Sequence, residues 1–185
     1  MKSRKYTEAR RKLEEFINSQ VTANGHKVLR IRADGEGCFK SKRFERWARK
    51  SGIVVETTTR ATSQANGRAE AAIKVAARRT RCALLESGMS KKWWPYARRH
   101  ASYVSQRTFT SANVSGRSPL EEMTGKTPEC GHLRAFGAPL LYYVTDGERR
   151  RLDARAKPGR LVGYSDSQAA YWVLCDESNT IKSVR

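Results

Sequence analysis

Near Gly131 the hydrophobic pattern of this chain changes period, and that change constrains the fold more than any other feature. Upstream, apolar residues recur at helical spacing. Downstream, short apolar runs at 140–144, 160–164 and 171–174 alternate with turn residues, Asp146-Gly147 and Pro158-Gly159. A spacing of roughly ten residues between short strands predicts a small β-barrel. The upstream part reads as α/β. An amphipathic helix is predicted over 5–19, with Tyr6, Ala9, Leu13, Phe16 and Ile17 as its apolar side, and Asn24-Gly25 is a turn signal. A strand over 28–32 leads to Asp34, and Gly35 and Gly37 let the backbone turn sharply after it. Ser41 is placed to cap a helix reaching Lys50, with Phe44, Trp47 and Ala48 on one face, and a β-branched strand follows over 53–57. Small polar residues from 58 to 65 read as a loop.

The best helix starts at Asn66 or Gly67 and runs to Ser87-Gly88, with Ala69, Ile73, Ala76, Ala77, Thr80 and Leu84 as its apolar stripe. At 100° per residue, Glu70, Lys74, Arg78 and Arg81 group beside that stripe. Ten Lys or Arg and two Asp or Glu lie between Asn66 and Arg107, within a chain of net charge +19. An excess of that size calls for a polyanionic partner, and nucleic acid is the commonest. A further helix over 92–107 is expected to put Trp93, Trp94, Ala97, Ala101 and Val104 into the core, with Pro95 near its start. Ser118-Pro119 opens a short helical turn ending near Thr124-Gly125. The domain boundaries that follow are 1–125, a linker at 126–131, and 132–185.

The four cysteines are scattered and form no Cys-x-x-Cys pair, which argues against a zinc ribbon or a redox dithiol. There is neither an N-terminal apolar h-region nor a long apolar run, so the chain reads as neither secreted nor membrane-bound, with the nucleus or cytoplasm as its expected location.

Two carboxylates, Asp34 at a strand end and Glu70 at a helix start, can converge on a hard divalent ion of the kind used in phosphodiester chemistry. Their surroundings make the pair specific. Arg32-Ala33-Asp34-Gly35-Glu36-Gly37 and Gln64-Ala65-Asn66-Gly67-Arg68-Ala69-Glu70 resemble the elements that carry the second catalytic Asp and the catalytic Glu of Copia-type long-terminal-repeat retrotransposon integrases, members of the retroviral integrase superfamily. Trp94, Ser118-Pro119, Thr124-Gly125-Lys126-Thr127-Pro128, His132-Leu133-Arg134-Ala135-Phe136-Gly137, Leu152-Asp153 and Leu161-Val162-Gly163-Tyr164-Ser165 resemble later landmarks of the same family, in order.

The resemblance implies a partial RNase H-like integrase core lacking its first strands, followed by a small SH3-like β-barrel that is incomplete at its C-terminus. It implies Asp34 and Glu70 as catalytic ligands of Mg²⁺ or Mn²⁺, Gln64 and Asn66 in the loop beside the active site, and Gln64, Asn66 and Arg68 as DNA-binding residues. Lys74, Arg78 and Arg81 would be contacts to DNA phosphates. Such contacts position a duplex without reading its sequence. The sequence also departs from the family. Gly35-Glu36-Gly37-Cys38 stands for Asn-Gly-Gly-Glu, Ser63 for Pro, and Ala71 for Arg. The family's first catalytic Asp belongs upstream of Met1. The chain is therefore expected to act in DNA integration and nucleic-acid binding, to hold metal weakly, and to be catalytically incompetent alone. Two other readings stand beside it: an active integrase completed by an upstream segment or a partner, and a repurposed DNA-binding or assembly module. Removal of early strands would also expose a sheet edge and favour self-association.

Overall fold

In the computed structural model the chain forms two compact units, Met1–Ala72 and Ile73–Arg185. The structure describes residues 2–34, 39, 41–58, 67–110, 113, 115–145, 147, 149–165 and 170–185; at 2–7, 9, 34 and 58 it describes the backbone alone. Of the loop expected over 58–65, Thr58 ends a strand; residues 59–65 and the glycine turn after Asp34 lie outside the described residues.

The first unit is a βαβ arrangement preceded by a helix. Helix α1 (Lys2–Phe16) continues through a π-helical turn, Ile17–Val21, and Gly25 then reverses the chain at φ 79°. Strand β1 (Arg30–Asp34) and strand β2 (Val54–Thr58) are parallel, joined by helix α2 (Lys42–Lys50). Ser41 caps α2 as expected, its side chain accepting a hydrogen bond from the Phe44 N–H at 3.2 Å. Phe44 and Ala48 are buried, and Ile17, Ala48 and Ile53 form the core with Leu13, Val28, Ile31, Trp47 and Val55 around them. Phe16, expected on the apolar side, is 50% exposed. The π-turn begins at the next residue and shifts the helical phase, so Ile17 takes the inward position instead.

The second unit holds most of helix α3 (Gly67–Ser87), then helices α4 (Trp94–Arg107) and α5 (Pro119–Thr124) and a four-stranded sheet. Strands β3 (Pro139–Tyr143), β4 (Ala156–Tyr164), β5 (Tyr171–Cys175) and β6 (Ile181–Val184) form an antiparallel meander in the order β3-β4-β5-β6. The edge strands β3 and β6 both line one cleft, through Tyr142, Tyr143 and Lys182–Arg185. Pro158-Gly159, expected to be a turn, runs inside β4. Pairing with β5 starts at Gly159, so on that side Pro158 lies beyond the ladder, where its missing N–H is tolerated. Glycine at 159 follows from crowding: a Cβ there would lie 2.6 Å from Val173 Cγ1 and 2.8 Å from the Leu174 carbonyl oxygen.

Helix α4 and the sheet share one core of Ala97, Phe136, Val162 and Leu174, bordered by Ala83, Leu84, Met89 and Trp93. A polar joint accompanies it. The His100 Nε2–H donates to the Arg134 carbonyl at 3.0 Å. The Tyr164 hydroxyl donates to the same carbonyl at 3.0 Å and accepts from the Arg134 N–H at 2.8 Å. The Tyr164 ring stacks on both Tyr103 and His100.

Burial holds the His100 imidazole below its ordinary pKa, partly opposed by the bond to Arg134. The unfolded state therefore takes up a proton that the folded state resists. The stabilising contribution is complete above about pH 6.5 and is lost as pH falls from there toward the lower folded value. Thermal melts from pH 7.5 to 5 should show this decline. His100→Gln, which can keep a donor toward Arg134, should flatten it; an unchanged slope would exclude His100 as the source.

Among the described residues, no helix is long and apolar enough to cross a membrane.

Candidate active site and nucleic-acid interface

Asp34 closes β1 in register with Thr58 at the end of β2, and Glu70 stands in the first turn of α3. Both belong to the first unit. Parallel pairing brings β1 and β2 to end at the same edge, which is where open α/β sheets carry their sites. Glu70 is exposed and has no hydrogen bond or ion pair among the described residues.

The donor chemistry fits a hard ion: two carboxylates, oxygen ligands of the type Mg²⁺ and Mn²⁺ take. Three other acids of this unit are each paired with a cation. Glu56 on β2 accepts from Arg30 at 2.5 Å and from Arg32 at 2.9 and 3.0 Å, and the Arg32 hydrogen bond leads in holding its carboxyl below the ordinary value. On α1, Glu14 pairs with Arg10 at 3.0 Å, and Glu15 with Arg11 at 2.5 Å and Lys12 at 3.2 Å. Gln64 and Asn66 lie outside the described residues, as does the side chain of Asp34.

Helix α3 carries its cations in two sets. Arg79 donates to the Ser105 hydroxyl on α4 and ties the two helices together. Lys74, Arg78 and Arg81 are exposed and have no partner among the described residues. They share one face of α3, and from Lys74 to Arg81 they extend about 10 Å, the rise of about three base pairs. Arg68, in the first turn, is exposed as well. No acid interrupts α3 between Glu70 and Glu86.

Two expectations need correction. The apolar stripe of α3 is not buried along its length: Ile73 is 61% exposed, and only from Thr80 onward does the helix sink into a core. Trp94 is not in the core of α4 but 59% exposed, while Trp93 packs inward. The 3₁₀ turn Lys91–Trp93 ends where α4 begins, so the two tryptophans point to different sides. A wheel centred on Ala97, His100 and Val104 already sets Trp94 about 85° off that face, a signal the sequence carried.

The β3–β6 meander and its joint with α4 define a small antiparallel sheet domain, and comparison with known proteins gives its kind. Residues 140–185 match the retroviral polymerase SH3-like domain. The chain is 30% identical over 147 residues to the retrovirus-related Pol polyprotein from transposon TNT 1-94 of Nicotiana tabacum, covering 80% of this chain and 11% of that protein. It is also 30% identical over 91 residues to the Pol polyprotein from transposon RE2 of Arabidopsis thaliana, covering 49% of this chain and 6% of that protein. This chain is thus a relative of retrotransposon Pol polyproteins and carries an SH3-like domain of the retroviral-polymerase type. It spans only about a tenth or less of the length of these relatives. Among solved structures, a cryo-EM structure of the simian T-cell lymphotropic virus intasome in complex with PP2A regulatory subunit B56 gamma matches at 13% identity and TM-score 0.48. It covers 97% of this chain and 61% of that one.

Proposed function

We propose that this chain is the DNA-holding part of a Copia-type integrase, an RNase H-like core segment followed by its SH3-like domain. The observation that carries the reading is the free cationic face of α3, which starts one turn after Glu70. Asp34 and Glu70 are the metal ligands of this proposal. Bound between them, Mg²⁺ or Mn²⁺ would activate the attacking oxygen and stabilise the leaving one. Lys74, Arg78 and Arg81 hold backbone phosphates and so fix the duplex lengthwise, with Gln64, Asn66 and Arg68 beside the scissile region. The β1–α2–β2 unit supports the RNase H-like reading, since it delivers Asp34 at a strand end.

Two carboxylates bind a single ion weakly, and two-ion catalysis draws on more donors than this pair. The 185 residues by themselves are therefore proposed to bind DNA without cutting or joining it. Self-association belongs to the same proposal: Leu29, just before β1, and Val54 on β2 are 66% and 56% exposed, and uncovered apolar strands invite pairing. The test is a salt titration of duplex binding beside an end-joining assay with Mn²⁺. Affinity should fall linearly on logarithmic axes, and no labelled end should be joined. Salt-independent binding would remove the phosphate reading, and metal-dependent joining would show the site to be complete.

A further inference from the structure

The C-terminal half of α3 and the start of α4 enclose an open groove of about 720 Å³. That volume lies within the range of ligand-binding clefts, about 300–1,000 Å³. Its floor is apolar. Leu84 and Met89 border the α4–sheet core, while Leu85 and Trp94 stand 74% and 59% exposed at its walls. Gly88, at φ 63°, turns the chain between the two helices and holds the groove open at that end.

All the charge around this floor has one sign. Lys91 and Arg98 line the groove and Arg81 closes it on the α3 side; among the described residues no acid lines it. Arg98 is half-buried, yet it has no hydrogen bond or ion pair among the described residues, and neither do Lys91 and Arg81. A guanidinium partly withdrawn from water without a counter-charge is costly unless a partner supplies one. An exposed indole beside an exposed leucine, with arginine at the rim, is the composition of interface anchors.

The occupant must then match both properties. A duplex would satisfy the cations but leave Leu84, Leu85 and Met89 against phosphate and sugar. A second copy of this chain would bring another net +19 to the same cations. A helix with an apolar face and acidic flanks satisfies both, setting side chains spaced at i, i+3 and i+7 into the groove and carboxylates on its rim. We propose that the α3–α4 groove docks an acidic amphipathic helix of a partner protein.

The experiment uses the full chain and a labelled probe peptide of about five helical turns, with Leu and Phe along one face and Glu elsewhere, read by fluorescence anisotropy. The Glu peptide should bind saturably and a Lys-for-Glu copy should not. Trp94→Ala and Leu85→Ala should each weaken binding by roughly tenfold or more. Arg98→Glu should do so with an altered salt dependence, and the Trp94→Ala and Leu85→Ala variants should keep their DNA affinity. Because Leu85 and Trp94 are mostly exposed, their truncation should leave the melting temperature almost unchanged. No saturable binding, or equal affinity across the variants, overturns the proposal. So does displacement of the peptide by duplex DNA whose own affinity falls in Trp94→Ala, which would assign the groove to nucleic acid. Sedimentation showing that Trp94→Ala dissociates a dimer would assign it to a second copy. DNA binding measured on the same samples keeps this result separate from that of the integrase reading.

Discussion

Phe136→Ala should destabilise the second unit by about 3–5 kcal/mol, the range for deleting a buried aromatic side chain. Phe136 is 5% exposed and sits among Ala97 of α4, Val162 of β4 and Leu174 of β5. Its ring also meets His100 edge-on, with centroids 5.6 Å apart. The cavity would open where helix and sheet meet, so helical and sheet signals should fall together, by on the order of 10–20 °C. Leu152→Ala is the control: that side chain is 97% exposed, and its loss should cost less than about 0.5 kcal/mol. Circular dichroism melts read both. A sheet that melts at its usual temperature while α4 is lost early would mean that the two are not one cooperative body.

Replacing Lys74, Arg78 and Arg81 together by alanine should lower duplex affinity by about two orders of magnitude near 0.1 M salt. The same variant should flatten the dependence of log affinity on log salt by roughly 2.7, about 0.9 for each phosphate contact removed. The three side chains are exposed, so the fold should survive. Arg79→Ala gives the contrast. Its guanidinium is committed to Ser105, so its loss should affect α3–α4 docking more than salt dependence. An unchanged salt slope in the triple variant would place the phosphate contacts elsewhere among the chain's many cations.

The elements with strong local signals were readable from sequence. Ser41 and Ser118 both cap helices through their side chains, Gly125 ends α5 in a left-handed conformation, and the apolar runs after Gly131 became strands. What failed did so where tertiary crowding or phase overrides local preference. Pro158-Gly159 has the chemistry of a turn, yet at 159 the approach of Val173 requires a residue without a side chain inside a strand. Phe16 was misplaced beside a change of helical type, the π-turn that begins at Ile17, whereas the outward place of Trp94 follows from the α4 wheel itself. Within the candidate site, the order along α3 was legible because it depends on helical spacing alone. The commitment of Glu56 to Arg30 and Arg32 was not, because that fork depends on the register of β1 against β2.

The meander has a kinetic consequence. In β3-β4-β5-β6 each strand pairs with its neighbour in the chain, and the β4–β5 and β5–β6 closures span short connections, 165–170 and 176–180, whose entropic cost stays small. Such local pairing lowers contact order and speeds folding relative to a sheet of the same size with crossed connections. Strands β1 and β2 are different: parallel pairing obliges the chain to travel through all of α2 before the first ladder bond can form. The C-terminal sheet can therefore pair strand by strand along the chain, while the edge that carries Asp34 waits for the crossover through α2.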